Sequence, residues 1–431
     1  MASMKLLIKN GTLIDPVLNS EQITDILIED GQVAAIGPGL EDDEAQVVEA
    51  AGLAIAPGLI DMHVHFRDPG FTYKEDIVSG SNAAAHGGFT TVTCMPNTKP
   101  TVDCPDMIAY VLERARQGSG VNVLPIGAVS MGEKGETLTD AKALKQAGAV
   151  ALSDDGVPVQ NANLMRDALI CASRAGMAVL THCEDADMVK NYAVNEGRIS
   201  RQLGIHGRPA IAEEIMVMRD AMLAEETQTA VHICHISTGR AVDIVRKYKK
   251  KGVKITCETC PQYFTLNQRE ILEQGAMARV NPPLRTTRDV AAILAGLKDG
   301  TIDCIVTDHA PHSEEEKARG LEQAPSGMVG LETSLGITLT QLYHTGEMTL
   351  PEIIAKMTVN PARILNLEKG RLSVGSDADL TIFDPNEEWV VDASKFASKG
   401  RNTPFNGRTL KGKVKYTIVA GTIVYQDGGE N

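Results

Sequence analysis

The chain has no apolar run near the ~18 residues that a bilayer-spanning helix needs, and its start, Met1-Ala-Ser-Met-Lys-Leu-Leu-Ile-Lys9, has neither the long apolar core nor the cleavage pattern of a secretory signal. It also lacks an excess of positive charge. Lys and Arg number 42 against 56 Asp and Glu, a net charge of −14. That balance argues against nucleic acid or an anionic membrane as partner. It leaves an anionic small substrate open, because one local Arg beside a metal outweighs the global field. A second paired-cysteine motif is missing too. The eight cysteines are scattered, and without a secretory signal they read as free thiols in a reducing cytoplasm. Cys257-Glu-Thr-Cys260 stands alone in the strand-like run 253–259. A zinc ribbon needs a second such pair, and a thioredoxin-type site needs a helix start. No low-complexity tract or short repeat is present.

What is present is a chain of 431 residues, enough for a barrel of roughly 250 residues plus a smaller module. Residues 5–57 carry short alternating segments split by Asn10-Gly11 and Asp30-Gly31, both hairpin dipeptides. After residue 365 the same character returns in Gly370–Pro385 and Val414–Tyr425. The two ends are expected to pair into one small β domain, residues 1–57 with 366–431. Between them, strand-like runs at 55–65, 89–95, 122–127, 148–154, 177–182, 230–236, 253–259 and 302–307 alternate with helical periodicity. The clearest helix follows Thr238 as N-cap, with apolar Ala241, Val242, Ile244, Val245 and Tyr248, and stops by Gly252. This alternation predicts an α/β fold, a (β/α)8 TIM-type barrel over residues 58–365.

Active sites of such barrels lie at the C-terminal strand ends. His63-Val64-His65 closes the first run, and side chains at i and i+2 of a strand share a face. Two neutral imidazoles on a rigid edge suit a borderline metal such as zinc. Arg67 adds a fixed positive charge two residues on. At the same pole fall Asn97 after the second run, Asp154 and Asp155 at the fourth, His182 at the fifth, His235 at the sixth, and Asp308, His309 and His312 at the eighth. Any one of these as a lone buried residue is ordinarily structural, but their shared pole argues for a site. His232, three residues before His235, is expected on the opposite face as packing. Asp61 is expected a layer deeper, as a structural or supporting group.

The segments Leu59-Ile-Asp-Met-His-Val-His-Phe-Arg-Asp-Pro-Gly70, Met95-Pro-Asn-Thr-Lys-Pro100 and Thr307-Asp-His-Ala-Pro-His312 resemble the amidohydrolase superfamily and, within it, the bacterial class I dihydroorotases. The resemblance covers nearly the whole chain. It implies two zinc ions per chain: His63, His65 and Asp308 on one, His182 and His235 on the other. Many amidohydrolases bridge the two metals with a carboxylated Lys from strand four. None lies there in this chain, so Asp155 is the implied bridge, with Asp154 as runner-up. The resemblance also implies Arg67, Asn97 and His312 on a substrate carboxylate. Asn281 and the Ser326-Gly327 backbone would hold a pyrimidine ring.

The activity so implied is the reversible cyclisation of N-carbamoyl-L-aspartate to L-dihydroorotate and water in de novo pyrimidine synthesis, with Asp308 carrying the proton. A homodimer is implied, and an aspartate carbamoyltransferase is a candidate partner. Two rival readings stand beside this one. Glu258-Thr-Cys-Pro-Gln-Tyr263 is closer to hydantoinases and allantoinases. An inactive dihydroorotase-like scaffold for the carbamoyltransferase would be expected to have lost metal ligands, and here all are present. The segment 309–325, with Ser313-Glu-Glu-Glu-Lys317, is a candidate lid.

Overall fold

The computed structural model describes residues 5–429. Both ends of the chain enter one mixed sheet of eight strands. The N-terminal segment supplies Lys5–Asp15, Ser20–Glu29, Gln32–Gly37, Gln46–Glu49 and Ala54–Pro57. The C-terminal segment supplies Leu380–Val390, Thr409–Val419 and Thr422–Gln426. Ala54–Pro57 is the seam: it runs parallel to Lys5–Asp15 and antiparallel to Leu380–Val390. Alternate residues of these strands, among them Leu6, Ile8, Ile26, Ile28, Ile55, Leu380, Ile382 and Ile418, form a core of their own.

The two hairpin dipeptides part company. Asp30-Gly31 does turn Ser20–Glu29 into Gln32–Gly37, with positive φ at both residues. Asn10-Gly11 makes no turn. It lies inside Lys5–Asp15, where the register shifts between Ile8 and Gly11. Left-handed backbone serves some β-bulges as well as tight turns, and Asn10 has it at φ 62°, so sequence does not separate the two.

The middle of the chain alternates parallel strands with helices. Leu59–Val64, Phe89–Cys94 and Asn122–Pro125 form one parallel sheet. Gly127–Ala128, Ala151–Ser153, Ala178–Thr181, Val231–Ile233, Ile255–Thr259 and Cys304–Ile305 form a second. Gly127–Ala128 continues Asn122–Pro125 past Ile126, whose N–H bonds to Cys94 O at 2.9–3.0 Å geometry typical of a ladder, here 3.0 Å. A parallel bridge pairs Val64 with His309, and the His65 N–H donates to His309 O at 2.9 Å. Parallel neighbours need long crossovers, and helices such as Ile77–His86, Pro105–Gly118, Ala162–Arg174, Ile211–Thr227 and Thr287–Lys298 provide them.

The strand-like run 55–65 proves to be two strands, broken at Gly58. The first half belongs to the mixed sheet and the second to the parallel one. A Cβ at Gly58 would lie 2.1 Å from Thr90 Oγ1, so only glycine lets the chain pass between the sheets here. Gly239–Lys250 shows why sequence patterning served for the helices. The Thr238 hydroxyl caps Ala241 N–H, and Ala241, Val242, Ile244, Val245 and Tyr248 are all buried. Among the described residues no helix is long and apolar enough to cross a membrane.

Candidate metal centre and active site

The ends of the parallel strands converge on a cluster of buried imidazoles and carboxylates. Leu59–Val64 presents His63 and His65 on one face, as strand parity requires. Asp155 follows Ala151–Ser153, His182 follows Ala178–Thr181, His235 follows Val231–Ile233, and Asp308 follows Cys304–Ile305. Asp155 sits at the centre. Its Oδ1 lies 3.5 Å from His63 Nε2, 3.5 Å from His182 Nδ1 and 3.4 Å from His235 Nε2, and its Oδ2 lies 3.3 Å from His65 Nε2. Asp308 Oδ1 lies 3.1 Å from His65 Nε2 and 3.6 Å from His63 Nε2. His182 Nδ1 and His235 Nε2 are 2.8 Å apart.

These donors fit metal ions. His63, His65 and Asp308 offer three ligand atoms close enough to share one cation, and so do His63, Asp155 and His235. His63 Nε2 and Asp155 Oδ1 are buried without a hydrogen-bond partner, which is costly unless something else satisfies them. Burial pulls the His63 imidazole down, yet the Asp155 and Glu258 carboxylates outweigh it and hold it well above its ordinary value. Burial likewise opposes ionisation of Asp155, but the surrounding imidazoles hold it well below the usual carboxylate range. The His182 imidazole is raised to about 10 against burial, chiefly by Asp155 and Glu184. Carboxylates that favour positive charge on the rings around them make a field that a divalent cation would satisfy in place of the protons. Three of the converging residues stand on strained backbone: φ is 60° at Arg67, 30° at His235 and 48° at Asp308. Non-glycine residues hold such angles at functional sites when the surroundings over-determine them.

Asp154 points away from this cluster. Its carboxylate accepts the Val129 N–H at 2.7 Å, the Ser130 N–H at 3.1 Å and the Ser130 hydroxyl. His309 also turns away, toward Glu75 at 3.3 Å and the Gly330 N–H at 3.2 Å. Asp61, buried, accepts the backbone N–H groups of His63 and Thr307 and so ties the first strand to the last.

A cavity of about 180 Å³ opens over the cluster, lined by His65, Arg67, Asn97, Asp155, Gly156, His182, Asn281, Asp308, Ala310, His312, Ser326 and Gly327. All the residues expected to hold a substrate therefore share one space with the metal-type donors. Arg67 Nη2 lies 3.4 Å from His312 Nε2. His312 donates through that nitrogen to Ser326 O at 2.9 Å. Burial, with Arg67, Lys74 and Lys317 nearby, pushes its pKa far down, so it is neutral. Asn97 accepts from His65 Nδ1 at 2.9 Å and donates to Asp155 O at 3.2 Å; it braces two of the cluster residues as well as lining the cavity. A larger cleft of about 390 Å³, between Trp389, Tyr425 and Glu332, has His86 as its one imidazole, and no such donor cluster.

Sequence reasoning passed over four residues here. Glu258, at the end of Ile255–Thr259, accepts from His63 Nδ1 at 2.7 Å and from His232 Nε2 at 3.0 Å. His232 is thus not plain packing: it reaches His63 through Glu258. Glu184 and Arg208 pair at 2.8 Å, and Arg208 also donates to Asn281 Oδ1. Asn402 bonds to both loops at the cavity mouth. Of these, Glu258 was within reach of the strand-end argument. The candidate lid is docked rather than free: Tyr73 and Lys74 bond to Glu316, each at 3.0 Å, and Lys317 is buried.

Imidazoles and carboxylates at the ends of parallel strands, with an arginine on the cavity wall, make a site of the class that metal-dependent hydrolases use. Comparison with known proteins narrows this. A dihydro-orotase-like family model matches residues 52–241. The chain is 51% identical to a dihydroorotase of Pelotomaculum thermopropionicum over 424 residues, 98% of this chain and 99% of that protein. It is 49% identical to a dihydroorotase of Acetivibrio thermocellus over 422 residues, with 98% and 99% covered. Among solved structures, the L-hydantoinase (dihydropyrimidinase) of Arthrobacter aurescens superposes with a TM-score of 0.89 at 27% identity, over 99% of this chain and 97% of that one. The dihydropyrimidinase of Brevibacillus agri gives 0.87 at 25% identity, over 98% and 95%. The chain belongs to the dihydroorotase family, and it is a cyclic amide hydrolase. The hydantoinases share its fold at about half the sequence identity of the dihydroorotases.

Proposed function

We propose that the chain interconverts N-carbamoyl-L-aspartate and L-dihydroorotate, the ring-closing step of de novo pyrimidine synthesis. The observation that carries this reading is the single small cavity in which Arg67, His312 and Gly327 face the Asp155–Asp308 donor cluster. At about 180 Å³ it is below the roughly 300–1,000 Å³ of sites for drug-sized ligands, and it suits one six-membered ring. The two parallel sheets, linked through Ile126 and through the Val64–His309 bridge, are best understood as one closed (β/α)8 barrel over residues 58–365. Residues 1–57 and 366–431 then make the β domain.

Two zinc ions fit the donor set. His63, His65 and Asp308 would hold one, His182 and His235 the other, and Asp155 would bridge them. Such a pair supplies activated water near neutral pH and polarises the amide carbonyl. The protein's own groups do the rest. Arg67 presents a planar fork to the carboxylate that the ring retains, with Asn97, His312 and the Ser326-Gly327 backbone beside it. Asn281 orients the ring. In the hydrolytic direction water oxygen joins the ring carbonyl carbon and the C–N bond breaks. Asp308 accepts the proton from water and returns it to the departing nitrogen. Proton transfer by a positioned group contributes roughly 10²–10⁴-fold.

Hydrolysis creates a second carboxylate, so at neutral pH it releases one proton and cyclisation consumes one. The equilibrium ratio of ring to open chain should therefore fall about tenfold per pH unit above the carboxylate pKa. Turnover of L-dihydroorotate, dihydrouracil, hydantoin and allantoin, compared side by side with metal content per chain, tests the assignment. A preference for either of the last two rings over dihydroorotate would overturn it.

A further inference from the structure

Three segments meet at the mouth of the cavity: 309–312, 325–329 and 398–402. The third comes from the opposite end of the chain, between Leu380–Val390 and Thr409–Val419 of the mixed sheet. It is firmly tethered. Glu332 accepts the N–H groups of Ala397 and Ser398 at 3.0 and 3.1 Å, and Glu75 accepts the Ser398 hydroxyl and the Lys399 N–H. The segment ends at Asn402, 2% exposed. Asn402 Oδ1 accepts the His312 N–H at 3.0 Å. Its Nδ2 donates to Ala310 O at 3.1 Å and to Gly327 O at 3.0 Å. Its backbone oxygen accepts the Val329 N–H at 2.9 Å. One carboxamide thus spends both its donors and an acceptor on the backbones of two loops.

The Gly327 carbonyl takes a second donor from Lys317 Nζ at 3.0 Å, which also donates to Pro325 O at 3.0 Å. Gly327 has φ +141°, and a Cβ there would meet Ala310 O at 2.8 Å and His312 Nε2 at 3.0 Å. Only glycine permits this close approach, and a glycine loop needs external bonds to stay in one conformation. Asn402 and Lys317 both provide them at one carbonyl.

We propose that Asn402 is a positioning residue for the carboxylate end of the substrate. It fixes the spacing between His312 and Gly327, and with it the place of the His312 ring beside Arg67. The inference rests on the substrate proposed above, but no bond of Asn402 reaches the metal-type donors. Its loss should therefore weaken substrate binding and spare the chemical step.

Asn402→Leu keeps the branched shape, in a somewhat larger side chain, and removes all three side-chain bonds. Asn402→Asp keeps the acceptor for the His312 N–H but sets a carboxylate against two carbonyl oxygens. Loss of such buried bonds should raise KM for L-dihydroorotate by about tenfold or more. In both variants kcat should stay within about threefold, the split that marks lost ground-state binding. Metal content per chain should not change. Amide hydrogen exchange of the ligand-free enzyme should speed up at 310–313 and 326–329, where local opening becomes easier. An unchanged KM, a fall in kcat equal to the fall in kcat/KM, or unchanged exchange would overturn the proposal. If neither variant folds, Lys317→Met, which removes the other donor to the same Gly327 carbonyl, must raise KM with kcat preserved, or the idea fails. Should the wild-type enzyme not turn over dihydroorotate, the substrate reading falls, and the exchange measurement still decides whether Asn402 sets the loops.

Discussion

Nδ1 of His63 lies 2.7 Å from Oε1 of Glu258, and both side chains are fully buried. A carboxylate can only accept, so Nδ1 of this ring carries a proton, and Nε2 is the atom turned toward Asp155 and Asp308. Glu258 spends its other oxygen on His232, whose Nδ1 lies 2.8 Å from the Thr256 hydroxyl. Carboxylates that hold a ligating imidazole in this way tune its basicity and orientation.

In Glu258→Gln an amide N–H faces one of the two imidazoles, so His63 or His232 must change tautomer. Metal affinity should drop about 10–100-fold, measured by chelator competition followed by metal analysis. Affinity equal to wild type would rule out an orienting role.

The neighbouring aspartates should separate cleanly. Asp155→Asn removes the charge shared by four imidazoles and should leave less metal bound per chain than wild type. Asp154→Asn should keep its metal but lose stability, by about 1.5–3 kcal/mol for weakened hydrogen bonds to a charged group. Metal analysis paired with denaturant unfolding checks both, and the reverse pattern would exchange their roles.

Arg67→Ala should raise KM for L-dihydroorotate by about 10–100-fold, the worth of hydrogen bonds between charged groups. Arg67→Lys should recover little of this, because an ammonium lacks the planar fork. Dihydrouracil, which has no carboxylate, is the control. Equal losses on both substrates would mean that Arg67 does not read the carboxylate.

Glu133 gives a pH signature. It is buried, its Oε1 has no hydrogen-bond partner, and its pKa is raised from 4.5 to about 9 by burial and by Asp154, Asp155 and Asp103. The folded state keeps this proton where the unfolded chain has lost it. Its contribution is therefore fully present below pH 4.5 and is lost as pH rises toward 9. Glu133→Gln copies the neutral form and should raise Tm by on the order of 1–3 °C at the alkaline end, with the advantage vanishing in acid. A Tm difference that does not change with pH would contradict the assignment.

Strand parity alone put His63 and His65 on one face, and counting strand ends brought Asn97, His182, His235, Asp308 and His312 to the same pole. Both arguments work because a parallel strand buried on both faces is mostly apolar along its length, so metal-type side chains gather at its end. The same logic reached Asp154 and Asp155 but not the choice between them, which turns on how the chain leaves Ala151–Ser153. Asn10-Gly11 reads as a turn in sequence although it is a bulge, because left-handed backbone can serve either. Glu258 stood at the right pole, yet its hydrogen bond to His63 spans 195 residues, and no local pattern encodes such a contact.

Local periodicity was enough for most of the elements, their alternation, and the donor residues that the strand ends carry, because each follows from a few neighbours. Folding set Asp155, already the one implied by resemblance, apart from Asp154, brought Glu258 to His63, and laid Asn402, 90 residues beyond His312, against the loops of the cavity. Those choices depend on distances between segments far apart in the chain, and such distances exist only once the core has packed.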